Sequence, residues 1–197
     1  MNLEELKKFL DEQVERFERP EFIENDPLGI VKRFSLKQDQ EIIGLLSSTI
    51  AWGNRRAIIN STERILEFMN HQPFEFIQNT NEKDWKHLAF VHRTFNSEDL
   101  QFFFNALKNS YQEVGSLENL FQEHPEISGV KGRIIQFRTS FCSTAHLPRS
   151  EKHISNPEKG SSSKRLNMFL RWMVRSADKG VDLGIWKTIP SAELRIT

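Results

Sequence analysis

The densest run of residues able to do chemistry is Gly160–Arg175, GSSSKRLNMFLRWMVR. At about 100° per residue, Leu166, Phe169, Leu170, Met173 and Val174 share one side of a helix starting at Lys164. Lys164, Arg171 and Arg175 fall on the opposite side with Asn167 beside them, forming a cationic ridge. Such a ridge is either a solvated face or a contact for a polyanion. Ahead of it stands a loop of small residues, Gly160, Ser161, Ser162 and Ser163. Free amide groups and the positive end of the dipole make a helix N-terminus an anion site suited to a phosphodiester, with Arg165 also on phosphate. Ser161 or Ser162 could equally be a plain N-cap.

Other residues compete for a role. Arg55 and Arg56 begin a helix, where cations oppose the dipole, and that placement points to an anionic partner. His92-Arg93 belongs either to a polar functional cluster or to a satisfied structural histidine. Trp52, Trp172 and Trp186 are core residues or base-stacking platforms. Cys142 lies in an apolar helix with no base partner nearby, which disfavours a nucleophilic role.

These residues must be positioned by helices. Leu3, Leu6, Leu10, Val14 and Phe17 recur at helical spacing, so a first helix should reach about Arg19, before Pro20. Ser35 with Gln38 three residues later predicts a capping box. The helix it opens, through Ile42, Ile43, Leu45, Leu46 and Ile50, is apolar over too wide an arc for a surface element. Gly53-Asn54 breaks it, and a third helix follows from about Arg55 to Asn70. Short pieces are expected near Phe74–Gln78 and Asp84–Leu88. Asn96 or Ser97 should cap a helix through Leu107, and Val130–Phe141 is the clearest one after it. Residues 148–163 form the one long polar connection, a linker or an ordered binding loop. No alternation is long enough for a sheet, so the chain reads as all-α.

Net charge is zero, but its distribution is uneven. Residues 1–30 carry nine acids against four bases, and residues 128–175 carry ten bases against Glu151 and Glu158. Either the basic segment is a localised anion-binding surface, or the two segments pack together. No apolar run approaches the roughly 18 residues of a membrane span, and the acidic, amphipathic N-terminus is no signal peptide. With one cysteine the chain cannot build an internal disulfide or a four-cysteine metal site from itself. The expectation is a cytoplasmic protein with no membrane contact, no metal and no cofactor.

Three stretches, Leu45–Arg55 (LLSSTIAWGNR), His92–Phe95 (HRTF) and Gly160–Trp186, together resemble an uncharacterised bacterial family known only as a domain of unknown function. That family is in turn distantly similar to helix-hairpin-helix DNA glycosylases, marked by a Gly-x-Gly-x-Lys hairpin and a later Pro-x-Asp-x-His type segment. The resemblance implies a hairpin that grips phosphate, a lysine that attacks the sugar and an aspartate that supports it. Gly160 matches the first glycine and Lys164 the lysine, while Ser162 stands at the second glycine. Thr49 stands where those enzymes carry a base-replacing glutamine. After Ile189 the chain reads SAELRIT, with no match to the aspartate segment; Asp178 and Asp182 precede it.

The implied architecture is a glycosylase-like helical domain with its second lobe incomplete: an N-terminal region 1–147, a connection 148–163, and a C-terminal helix and tail 164–197. The implied partner is DNA, contacted by Gly160, Ser161, Ser162, Ser163, Arg165, Arg171, Arg175 and Arg55, with Lys164 as nucleophile. A non-catalytic nucleic-acid-binding module and a helical protein-interaction domain are the alternatives. If helices beyond position 197 normally cover the apolar face of Lys164–Arg175, residues 148–197 should be loosely held. Each exposed large side chain would then forfeit about 1.5–3 kcal/mol of burial.

Overall fold

The computed structural model describes residues 1–194. Their architecture is all-α, with nine α-helices, several 3₁₀ turns and one minimal hairpin. Helix α1 (Leu3–Phe17) opens with a capping box between Asn2 and Glu5 and contributes no buried residue. Its apolar stripe stays open, Leu10 being 51% exposed. After α2 (Pro27–Val31) comes α3 (Lys37–Thr49), whose residues from Glu41 to Thr49 are all buried. The wide apolar arc read from the sequence thus marks the central helix.

The predicted Ser35 cap does not form. The N-cap is Leu36, with no side-chain cap, and the Gln40 amide instead donates to Phe34 O at 2.7 Å. Helix α4 (Arg55–Phe68) is capped by Asn54, α5 (Pro73–Asn79) starts on a proline, and α6 (Glu82–Trp85) is a single turn. Strands β1 (Val91–His92) and β2 (Phe95–Asn96) pair antiparallel, Val91 opposite Asn96. Asn96 then caps α7 (Ser97–Val114) through a capping box with Asp99, and Gly115 ends the helix in the left-handed region. Helix α8 (Gly129–Phe141) follows.

The polar connection is ordered as two 3₁₀ turns, Pro148–His153 and Pro157–Lys159. Helix α9 (Lys164–Val174) then crosses α3 at Gly44, where an added Cβ would stand 2.5 Å from Met173 Cε and 3.1 Å from Phe169 Cε2. This closeness corrects the expectation that the apolar face of α9 lacks cover. Phe169, Leu170 and Met173 belong to the same core as α3 and α7. The segment after α9 closes the other side: Trp186 is 1% exposed, and its indole N–H donates to Glu41 at 2.7 Å. Lys187 N and Thr188 N donate to Glu118 Oε1 at 2.6 and 2.8 Å. Residues 148–194 therefore share the core of the N-terminal helices. No helix among the described residues is long and apolar enough to cross a membrane.

Candidate nucleic-acid interface

The loop into α9 is held from inside. Asn167, read from the wheel as a neighbour of the cationic ridge, is buried and turns its amide back toward the loop. Its Nδ2 donates to Ser162 O at 3.0 Å and Ser163 O at 3.2 Å. The N-cap is Ser163, not Ser161 or Ser162, and it sits in the left-handed region (φ 53°) without capping through its side chain. Ser161 Oγ accepts instead from Ser163 N at 3.2 Å. Gly160 takes φ 82°, a value that a side chain would strain, where the Pro157–Lys159 turn hands over to the serines. Two pockets flank this loop. One, of about 470 Å³, runs along α8 and includes Lys131, Lys164 and Asn167. The other, of about 570 Å³, is rimmed by Arg138, Lys152, Lys159 and Arg165 with Glu151.

The expected ridge along α9 divides. Lys164 is exposed and has no ion pair among the described residues. Arg171 meets Asp182 at 3.3 Å, while Arg175 meets Asp182 at 3.6 Å and also pairs with Glu18 at the end of α1. Both arginines are thus committed to carboxylates, which the wheel could not reveal because neither acid lies on α9. Burial pushes the Asp182 carboxyl up, and the two arginines oppose that shift. Lys179 also reaches Glu18, at 3.9 Å, so acidic and basic segments pack together here.

Arg165 does not project from the helix toward solvent. Its guanidinium lies 4.8 Å over the Trp52 ring and donates to Thr49 O, and burial lowers its pKa. Trp172 and Trp186 are core residues, but Trp52 is only half-buried. Next to it, Gly53 (φ 96°) lets Arg93 in: an added Cβ would stand 2.9 Å from Arg93 Cζ. Arg93 itself takes the left-handed region in the β-hairpin turn. Asn54 then accepts from Arg56 N at 2.9 Å, placing exposed Arg55 and Arg56 in the first turn of α4.

Carboxylates sort these cations. Arg33 pairs with Glu63, Arg133 with Glu193, Arg138 with Glu151, and Arg149 with Asp99. Lys164, Arg165, Arg93, Arg55 and Arg56 have no such partner among the described residues. Trp52 and Gly53 bring Arg165 and Arg93 together at the end of α3, next to the start of α4. The sequence points to Lys164, Arg165 and Arg55 for this role, and it leaves Trp52 open between core and stacking platform and Arg93 open beside His92. The useful signal was the glycine after Trp52, which permits the close approach.

The histidines beside this edge are buried. His92 Nδ1 is 2.8 Å from Ser61 Oγ, and burial lowers the His92 pKa. His153 Nε2 is 3.1 Å from Asp99 Oδ2, and its ring packs edge-on to Trp52 at 6.1 Å. Burial also pushes the Cys142 thiol up, away from the reactive thiolate.

No curated protein and no solved structure matches the chain. A family model does, over residues 26–197, a span that leaves out α1 and includes both flanks of the α9 loop and the Trp52 edge. The chain belongs to this family, which is described as a protein of unknown function, DUF2400.

Proposed function

We propose that this protein binds nucleic acid along the edge where Lys164, Arg165, Trp52, Arg93, Arg55 and Arg56 meet. In this reading it works as the helical core of a DNA-glycosylase-like or abasic-site lyase fold used in DNA repair. The observation that carries the reading is that Arg165, over the half-buried Trp52, and Arg93, against the adjacent Gly53, have no carboxylate partner among the described residues. Unpaired arginines neutralise phosphate without first breaking an internal ion pair. An indole face offers stacking to a base of any sequence. The loop Gly160–Ser163 presents the amides at the start of α9 to the same polyanion.

Duplex DNA affinity should fall steeply with salt. The slope of log affinity against log salt should lose roughly 0.9 for each phosphate contact removed. Arg55→Ala with Arg93→Ala is expected to flatten it. Arg171→Ala with Arg175→Ala should change it little, because those side chains already hold Asp182 and Glu18. Fluorescence anisotropy across a salt series reads both. Equal flattening by the two pairs would move the interface back onto the α9 ridge, and no binding at low salt would favour a protein-interaction domain.

The chemical half of the proposal concerns Lys164. A neutral lysine amine adds to the C1′ aldehyde of an abasic sugar and loses water to form an imine, which borohydride reduces to a stable amine. Lys164 is exposed, so the closed surroundings of the reacting amine have to come from bound DNA. No residue here matches the supporting aspartate, since Asp178 is exposed and Asp182 is held by two arginines. The chain alone is therefore expected to bind abasic DNA without lyase turnover. Any borohydride-trapped adduct should vanish in Lys164→Ala, and one surviving at full strength would remove Lys164 from the mechanism.

A further inference from the structure

We infer that α1 is a self-association face: two copies of the chain pair antiparallel along their first helices, around a two-fold axis at Leu10. Among the described residues, seven of the eleven exposed large apolar side chains fall within the first 22 positions. Leu3 is 88% exposed and Phe9 49%, and α1 contributes nothing to the core. Of its residues only Gln13 and Val14 are half-buried. A lone helix of about 15 residues is marginal in water, so the open stripe calls for cover.

The charges choose that cover. Helix α1 carries five acids (Glu4, Glu5, Asp11, Glu12, Glu15) against three bases (Lys7, Lys8, Arg16). Such a balance opposes an anionic lipid surface and a nucleic acid, both of which select basic side chains. Its order along the chain fits a reversed copy of itself. With the axis at Leu10, Leu3 meets the partner's Phe17, Leu6 meets the partner's Val14, and Leu10 meets its own copy.

The borders of the stripe match as well. At about 100° per residue, Lys7 and Asp11 stand along one border, and Glu5 and Arg16 along the other. Reversal sets each border against its own copy. Lys7 then lies about 3 Å along the axis from the partner's Asp11, and Arg16 about 1.5 Å from the level of the partner's Glu5. Within the chain, Glu5 meets the N-terminus, and Glu18 at the C-cap meets Arg175 and Lys179. Lys7, Asp11 and Arg16 have no ion pair among the described residues, so these charges are available to a second copy. This inference does not rest on the nucleic-acid reading.

The test is sedimentation equilibrium of the full chain across the micromolar range, where a monomer should exchange with a dimer. Leu10→Glu should weaken the dimer about tenfold or more. It should leave the unfolding of the dilute chain unchanged, because Leu10 adds nothing to the core. Lys7→Asp and Asp11→Lys, both at exposed positions, should each weaken the dimer too. Mixed together, those two variants should pair with one another as tightly as the native chain pairs with itself, since each border then meets opposite charge on the partner. Mixing leaves each change inside its own helix uncorrected, so recovery reports contacts between copies. A chain that is monomeric at every concentration overturns the inference; if that monomer binds neutral-lipid vesicles the stripe belongs to a membrane, and if it does not, to a different protein. A dimer indifferent to Leu10→Glu, or charge variants that do not recover on mixing, would overturn it as well.

Discussion

Glu41→Ala is expected to destabilise the protein by about 3–5 kcal/mol, since each buried donor left without a partner costs about 1–3 kcal/mol. Glu41 is fully buried in the middle of α3 and accepts four hydrogen bonds. They come from Tyr111 OH at 2.9 Å, Ser116 Oγ at 2.8 Å, Leu117 N at 3.1 Å and Trp186 Nε1 at 2.7 Å. Its removal takes the acceptor from four donors, those of Tyr111, Leu117 and Trp186 on buried residues and that of half-buried Ser116, from the end of α7, the turn after it and the segment that closes over α9. A domain is stable by only about 5–15 kcal/mol, so the loss is a large fraction of the whole. The indole bond is one of the ties on residues 183–189, beside the bonds from Lys187 N and Thr188 N to Glu118, so their amides should exchange faster even where the variant stays folded. Urea unfolding with hydrogen exchange measures both effects. A loss below about 1 kcal/mol, the scale of one ordinary hydrogen bond, would mean that the carboxylate is not what ties the C-terminal segment down.

Asp99→Ala should cost a similar amount, about 3–5 kcal/mol, and it should do so through a different segment. Asp99 is buried at the N-terminal turn of α7 and accepts from Asn96 N at 2.9 Å, Ser150 Oγ at 2.6 Å and Arg149 Nη1 at 2.9 Å. His153 Nε2, 3.1 Å away, completes the ring of donors. This carboxylate joins three residues of the Pro148–His153 turn, Arg149, Ser150 and His153, to α7. Burial alone would raise the Asp99 pKa, but the bonds from Ser150 and Asn96, with the His153 and Arg149 charges, hold it below the ordinary value. His92 and His153 are depressed chiefly by burial.

All three shifts act in the same direction. A depressed group contributes stability that is complete above its unfolded pKa and lost as pH falls through its folded one. Stability should begin to fall below about pH 6.5, as the unfolded histidines take up protons first, and fall further below about pH 4 as Asp99 joins. Unfolding free energies between pH 7.5 and 5 should therefore rise with pH, less steeply in His153→Gln. A flat profile over that range would contradict the burial of the two imidazoles.

The sequence by itself determined the helices and which of them lies deepest. Hydrophobic periodicity and caps act within a few residues, so α3, α4, α7 and α8 are legible from their apolar arcs, from the Gly53-Asn54 break and from the Asn96 cap. Lys164 was likewise placed at a helix start by the small residues before it. What only the tertiary structure decided is which charges remain available. Arg171 and Arg175 look free on a wheel, but Asp182 and Glu18 reach them from outside the helix. Arg165 looks exposed, yet Trp52 and Thr49, more than 100 residues earlier, draw it inward. Arg93 gains its place because Gly53 lacks a side chain 40 residues before it. The segment after α9 is tied to α3 by a hydrogen bond between Trp186 and Glu41, 145 residues apart. Periodicity reports the face a helix will bury; long-range pairing decides which charges are neutralised, and no local pattern encodes it.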